Sequence, residues 1–225
     1  MKMRLHQTIH GLGLAFMFTL LPVNIVFSQS VFPTIEEEPQ SDNLVSPETG
    51  VDYTSLRNLL AEKQWRRANE TTQDLMLQAT NRELQGWIST QQIREFPCWD
   101  LRRIDSLWKK YSDGRFGFSV QYPIFVRTGN RPGRLVATES YDAFGDAVGW
   151  REPNPNPPER GSRNQWIIFS GNLNYSLDAP IGHLPNPRSE YQITGGRLEY
   201  TLLTERMVQC NVVTTTKAKT PPANY

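Results

Sequence analysis

The chain has 225 residues, of which 38% are hydrophobic, and its formal net charge is only +1. This length allows one domain of ordinary size with appendages. The near-neutral balance excludes a general electrostatic attraction to nucleic acid as the basis of its function.

The N-terminus has the layout of a secretory signal. A positively charged start precedes an apolar run from Leu12 to Phe27, and small residues follow that run. The run is interrupted by Pro22 and is shorter than the ~20 apolar residues of a spanning helix. We therefore predict a signal peptide over residues 1–28, with an uncleaved membrane anchor through residues 12–27 as the alternative.

Composition then separates a linker, a domain and a tail. Residues 31–51 contain several acidic residues, three prolines and no Lys or Arg, so we predict a disordered acidic linker over residues 29–51. The predicted helical domain covers residues 52–211 and begins at Asp52. Residues 212–225 show no helical pattern of apolar residues and are predicted to be a disordered tail.

Helical spacing is clear in the first half of the domain. Leucines after Thr54 and apolar residues after Trp65 predict two helices with a poorly marked turn near Lys63. Apolar residues then recur at three- and four-residue steps from Leu101 to Tyr111, which predicts one buried helix face with Asp100 as the N-cap.

The pattern changes after this helix. Phe116, Phe118, Val120 and Tyr122 alternate with smaller or polar residues, which is typical of an extended strand. Short helical turns are the competing interpretation.

Three further elements follow. Residues 140–149 predict a short helix, and the proline-rich stretch 153–165 predicts an irregular exposed loop. A final helical pattern contains Leu198, Leu202 and Met207.

Residues for catalysis or metal binding are scarce. His183 is the only histidine outside the predicted signal, and a hydrogen-bonded structural role is the favoured interpretation. Outside the predicted signal, the sequence has no H-x-x-x-H, C-x-x-C or G-x-S-x-G motif. We therefore predict a protein that is not an enzyme and has no metal site built from its own side chains.

Whether the two cysteines form a disulfide depends on the compartment in which the chain resides. If the chain is exported, Cys98 and Cys210 are candidates for a disulfide that closes a long loop. The alternative is two separate buried thiols that pack as small hydrophobic groups.

Specific sequence motifs in the middle of the chain resemble those of a known family. The segment from Phe96 to Gln121 reads FPCWDLRRIDSLWKKYSDGRFGFSVQ, and Gly149-Trp150 and SLDAPIGHLP, residues 176–185, follow it. Together they resemble the genomes-uncoupled-four family of tetrapyrrole-binding proteins, from about residue 52 to residue 185 and more faintly to residue 210. The resemblance implies a mainly helical domain shaped like a cupped hand, with short extended segments and long loops.

The resemblance also implies a ligand and a partner. The apolar palm of the family takes protoporphyrin IX or magnesium protoporphyrin IX, and its best-studied members stimulate magnesium chelatase in chlorophyll biosynthesis. Applied to this sequence, the resemblance predicts a porphyrin-binding surface. We add to it the neighbouring aromatic residues and the arginines that would meet the propionates. The predicted contacts are Phe116, Phe118, Val120, Phe125, Phe144, Trp150, Tyr175, Arg115 and Arg206, with Arg127 and Arg197 as further rim cations. Core packing is the simpler interpretation of any one of these rings.

We therefore expect an exported, non-catalytic module of a photosynthetic organism that sequesters, carries or senses porphyrin. The expected location is the periplasm, the thylakoid lumen or a membrane. The alternative is a cytosolic regulator that stimulates magnesium chelatase, and a second alternative is an envelope protein-interaction domain without a ligand.

Overall fold

The computed structural model describes residues 43–168, 170–187 and 196–214, and these form a mainly helical domain, as predicted. The predicted signal peptide, most of the linker and most of the tail lie outside the described residues. No helix within the described ranges is long and apolar enough to cross a membrane. The helices are α1 Thr54–Ala61, α2 Trp65–Ala79, α3 Thr90–Arg94, α4 Cys98–Tyr111, α5 Phe118–Arg127, α6 Thr138–Ala147 and α7 Arg197–Gln209, and the strands are β1 Arg151–Pro153 and β2 Asn164–Trp166.

The helical pair α1–α2 forms as the sequence predicts. Lys63 adopts a left-handed backbone conformation, with φ of 57°, which reverses the chain between the two helices. Trp65 and Trp108 stack with ring centroids 6.1 Å apart, so α2 packs on α4 through aromatic contact.

The structured domain begins earlier than the composition indicates, because residues 43–51 pack on α4. Asp100 lies inside α4 and is fully buried, so it is not the N-cap that the sequence predicts. Its carboxylate accepts hydrogen bonds of 2.8 Å from the hydroxyls of Ser46, Thr49 and Tyr53. A buried carboxylate needs such partners, and the supposed linker supplies two of the three.

The segment after Gly117 is helical, which decides between the strand and the short helical turns that the sequence left open. Helix α5 buries Phe118, Gln121, Tyr122 and Phe125, which follow helical three- and four-residue steps. Asp105 of α4 explains where α5 begins, because its carboxylate accepts the Ser119 N–H at 2.7 Å. Aromatic and small residues alternate before Gln121, and this strand-like period of two masks the helical spacing in the sequence.

The proline-rich stretch is framed by a short antiparallel hairpin. Arg151 of β1 lies opposite Trp166 of β2. The Arg151 guanidinium is buried and forms ion pairs with Asp142 at 3.3 Å and Asp146 at 3.0 Å, which hold the hairpin on α6. The prolines therefore lie in a loop whose two ends are fixed.

Helix α7 closes the core and is bound to the start of α4. Cys98 and Cys210 form a disulfide in the structure. Beside it, Arg102 donates to the carbonyl of Cys210 at 3.1 Å, and Arg206 Nε donates to the carbonyl of Phe96 at 2.8 Å. The last turn of α7 is thus held by one covalent bond and two arginines.

We expect the disulfide to be a major stabilising link. Replacing both Cys98 and Cys210 by Ser should lower the free energy of unfolding by about 2–5 kcal/mol, because the bridge closes a loop of 112 residues in the unfolded chain. Urea unfolding with and without dithiothreitol measures this. The reductant should not affect the double-serine variant, and an oxidised wild type no more stable than that variant would contradict the prediction.

Candidate ligand-binding surface

Residues 173–187, which we call the clamped loop, are held at the start of α5 by backbone hydrogen bonds. Gly117 N–H donates to the carbonyl of Leu184 at 2.9 Å, and Gly182 N–H donates to the carbonyl of Arg115 at 2.9 Å. Gly182 has φ of 77°, and a Cβ there would lie 3.2 Å from Ile124 Cδ1. Glycine at this position therefore allows the loop to lie directly on α5.

Buried amide side chains complete the attachment of the clamped loop. Gln121 donates to the carbonyl of Pro185 at 2.8 Å, and Gln73 donates to the carbonyl of Asn186 at 3.0 Å. Asn69 accepts the Asn186 N–H at 2.7 Å. Because buried backbone groups must be paired, these amides of α2 and α5 fix the path of a segment without regular structure.

His183 is the internal anchor of the clamped loop, which confirms its predicted structural role. Its Nδ1 lies 2.7 Å from the carbonyl oxygen of Val148, and its Nε2 accepts the Asn174 N–H at 3.2 Å. The carbonyl of His183 accepts the indole N–H of Trp150 at 2.7 Å. Burial lowers the pKa of His183, with a smaller opposing effect from its hydrogen bond to Val148. Both ring nitrogens are engaged, so a neutral imidazole with a proton on Nδ1 satisfies this geometry.

The outer part of the clamped loop exposes apolar side chains. Ile181 is 54% exposed, and Leu177 and Pro180 are also exposed. Tyr175 is half-buried, and Val120 of α5 is half-buried one residue before Gln121, against which Gly182 packs. We call the set Tyr175, Leu177, Pro180, Ile181 and Val120 the apolar shelf.

Two arginines lie beside the apolar shelf. Arg115 donates from Nη2 to the carbonyl of Ala179 at 2.7 Å. The exposed Arg66 of α2 places its guanidinium 4.5 Å from the ring centroid of Tyr175. No sequence pattern identified Arg66, because it approaches the shelf through a contact between residues 109 positions apart.

Five of the predicted porphyrin contacts lie in the core. Phe116, Phe118, Phe125, Phe144 and Trp150 are at most 1% exposed. Phe125, Phe144 and Trp150 pack with Tyr141, Trp166 and Tyr200, and we call these six rings the aromatic cluster. In this structure the five rings present no face to solvent, whereas Val120 and Tyr175 are half-buried and belong to the shelf.

Arg115 and Arg206, which the sequence predicts as porphyrin contacts, do not lie together. Arg115 follows the C-terminal end of α4, whereas Arg206 contacts Phe96, just before its N-terminal end. A helix of 14 residues is roughly 20 Å long at about 1.5 Å per residue. Arg115 is therefore beside the shelf, and Arg206 binds α7 to the α3–α4 junction.

The fold agrees with comparisons to known proteins. The GUN4-like family model matches residues 46–204, which is most of the described domain, so the chain belongs to the GUN4-like family. The family resemblance found in the sequence is confirmed.

Individual relatives support this assignment. The Ycf53-like protein of Synechocystis is 28% identical over 138 residues, covering 60% of this chain and 51% of the relative. The chloroplastic tetrapyrrole-binding protein of Arabidopsis thaliana is 31% identical over 125 residues, covering 49% and 47%. The chain thus matches about half the length of these curated relatives.

Solved structures show the same fold. The ligand-free structure of Arabidopsis thaliana GUN4 is 26% identical, with a TM-score of 0.52 over 70% of this chain and 95% of that one. The structure of GUN4 from Chlamydomonas reinhardtii is 23% identical, with a TM-score of 0.51 over 72% and 91%.

Close packing of Gly149 under the clamped loop gives a direct test of the loop's position. A Cβ at Gly149 would lie 2.9 Å from Pro180 Cγ, whereas a Cβ at Gly86 would meet nothing within 4 Å. The two glycines have φ of 73° and 71°, so alanine costs the same backbone strain at both. Gly149→Ala should therefore destabilise the protein by about 1–3 kcal/mol more than Gly86→Ala in urea unfolding. Equal effects would contradict the packing.

His183 should make stability depend on pH. Its folded-state pKa is below its unfolded value, so its contribution is complete above pH ~6.5 and is lost as pH falls through the folded value. The slope should not exceed about 1.4 kcal/mol per pH unit. Burial raises the pKa of Asp105, which contributes with the opposite sign, so the informative quantity is the difference from His183→Gln. That variant should flatten the loss of stability between pH 7.5 and 5, and an unchanged slope would contradict the assignment.

Proposed function

We propose that this chain binds a tetrapyrrole on the apolar shelf and has no catalytic role. The observation that carries the proposal is an exposed apolar surface, on a loop that is hydrogen-bonded to α5, in a member of the GUN4-like family. A relative in Arabidopsis thaliana is a tetrapyrrole-binding protein, which supports the same ligand class here.

The shelf suits one face of a flat macrocycle. Burying ~400 Å² of apolar surface at about 25 cal/mol per Å² gives a gross gain near 10 kcal/mol. Association costs of about 4–15 kcal/mol offset much of this gain. We therefore propose micromolar or somewhat tighter affinity.

The adjacent arginines suit the propionate groups of a porphyrin. A guanidinium has five N–H donors, and Arg115 uses one nitrogen for the carbonyl of Ala179. Arg66 stacks on Tyr175 while it remains exposed. Arg66 can present a planar pair of donors to a carboxylate, and Arg115 adds a positive charge beside the shelf.

The proposed ligand is protoporphyrin IX or magnesium protoporphyrin IX, held for sequestration, carriage or sensing. His183 has both nitrogens in structural hydrogen bonds. Across the described ranges there is no group of three or more His, Cys, Asp or Glu side chains that could hold a metal ion. We propose that recognition rests on the macrocycle and its carboxylates.

We propose that the protein works in an oxidising compartment outside the cytosol. The disulfide between Cys98 and Cys210 supports this, because such bridges persist in exported proteins. Stimulation of magnesium chelatase in the cytosol is the alternative that family membership favours. Fractionation with N-terminal mass measurement separates the two: a mature chain beginning near Gln29 outside the cytosol supports export, and an intact Met1 in the cytosol supports the alternative.

Porphyrin titration tests the binding proposal. Ile181→Asp should raise the Kd for protoporphyrin IX at least tenfold, measured by the Soret shift, because it places a charge on the apolar shelf. The matched control is Leu84→Asp, since Leu84 is 99% exposed in the turn before α3. Equal weakening by both variants, or no Soret shift with the wild type, would contradict the proposal.

The role of the arginines has its own test. Arg66→Gln should weaken binding of protoporphyrin IX several-fold and leave the affinity for its dimethyl ester unchanged, because the ester carries no carboxylate. An equal loss for both ligands would show that Arg66 acts through packing.

A further inference from the structure

A second surface combines unpaired arginines with exposed aliphatic side chains. The segment from Val126 to Ala137 reads VRTGNRPGRLVA and contains three arginines and no acidic residue. Arg127, Arg131 and Arg134 are exposed, and within the described ranges none of their side chains forms a hydrogen bond or an ion pair. Glu205 lies against Gly133 of this turn without an ion pair to these arginines.

The turn is fixed at both ends, so its arginines are displayed from a defined backbone. Asn130 donates through its backbone to Phe125 at 3.2 Å and through its side chain to the carbonyl of Ser140 at 2.7 Å. Gly133 N–H donates to the carbonyl of Thr201 in α7 at 3.0 Å. The hairpin around Pro132 closes with a bridge between Arg131 and Arg134.

Aliphatic side chains surround these arginines. Val126 and Leu135 flank the turn and are exposed, Leu135 by 45%. Leu198, also exposed, lies in the first turn of α7, where Arg197 donates to the carbonyl of Val136 at 3.1 Å. Arg197 is thus occupied structurally, and it places Leu198 beside the end of the turn. We call Val126, Arg127, Arg131, Arg134, Leu135 and Leu198 the basic patch.

We propose that the basic patch binds the surface of a membrane that contains anionic lipid. Three arginines meet lipid phosphates, while the aliphatic side chains enter the boundary between headgroups and acyl chains. This interaction is separate from tetrapyrrole binding and from any anchor in the N-terminal segment.

A bilayer suits the patch better than an acidic protein segment does. A membrane offers anionic groups across a plane, so three arginines on a turn need no matched set of carboxylates. The apolar members of the basic patch are all aliphatic, which fits shallow insertion.

Vesicle partitioning of the full chain tests the proposal. Binding to vesicles of phosphatidylcholine is subtracted from binding to vesicles that also contain phosphatidylglycerol, which removes any contribution of a neutral anchor. Arg127→Gln, Arg131→Gln and Arg134→Gln together should reduce the anionic increment about a hundredfold, at about fivefold per arginine. Leu135→Ser with Leu198→Ser should also weaken it.

The control keeps the net charge equal. Arg94→Gln, Arg160→Gln and Arg163→Gln remove three exposed arginines elsewhere and should reduce binding only a few-fold. Equal losses for the two triple variants, or no loss for the patch variant, would overturn the proposal. So would patch-dependent retention on polyglutamate without patch-dependent vesicle binding, which would indicate an acidic protein partner. Circular dichroism should be unchanged in both variants.

Discussion

The fold depends on the need to pair the buried backbone of the clamped loop. Residues 182–187 are buried although they belong to no helix or strand, so each polar group requires a partner from elsewhere. Asn69 and Gln73 lie one helical turn apart on α2, and Gln121 lies on α5, so their amides converge on Pro185 and Asn186. This pairing holds the end of the loop inside, while Leu177, Pro180 and Ile181 remain at the surface.

Tyr200, the member of the aromatic cluster that lies on α7, connects this helix to the clamped loop through Gln121. The hydroxyl of the fully buried Tyr200 donates to Gln121 Oε1 at 2.7 Å, and the same amide of Gln121 donates to the carbonyl of Pro185. Burial raises the pKa of Tyr200 well above its ordinary value, so the phenol remains a donor. The position of the shelf therefore depends on α7, whose far end is joined to α4 by the disulfide.

The sequence predicted α4 because the spacing of its apolar residues is a local signal. It predicted the family, and with it the mainly helical class, because the sequence motifs are specific. It misassigned Asp100, since a buried carboxylate inside a helix and an N-cap have the same sequence context until Ser46 and Tyr53 are seen to reach it. For α5, period-two and helical spacing coexist in FGFSVQ. Among the candidate site residues, the sequence could not separate rings that form the core from those near the surface, because both are aromatic. Arg66 could not be identified from the sequence, because it contacts Tyr175 across a long separation along the chain.

Hydrogen–deuterium exchange of the full chain with and without protoporphyrin IX tests the central claim most directly. The account predicts added protection in peptides that cover residues 173–187 and the first turn of α5, because ligand would cover the apolar shelf and further stabilise the loop. Peptides from the α2–α3 turn should exchange at unchanged rates. Protection confined to other segments, or none at saturating porphyrin, would contradict the claim that the clamped loop presents the binding surface.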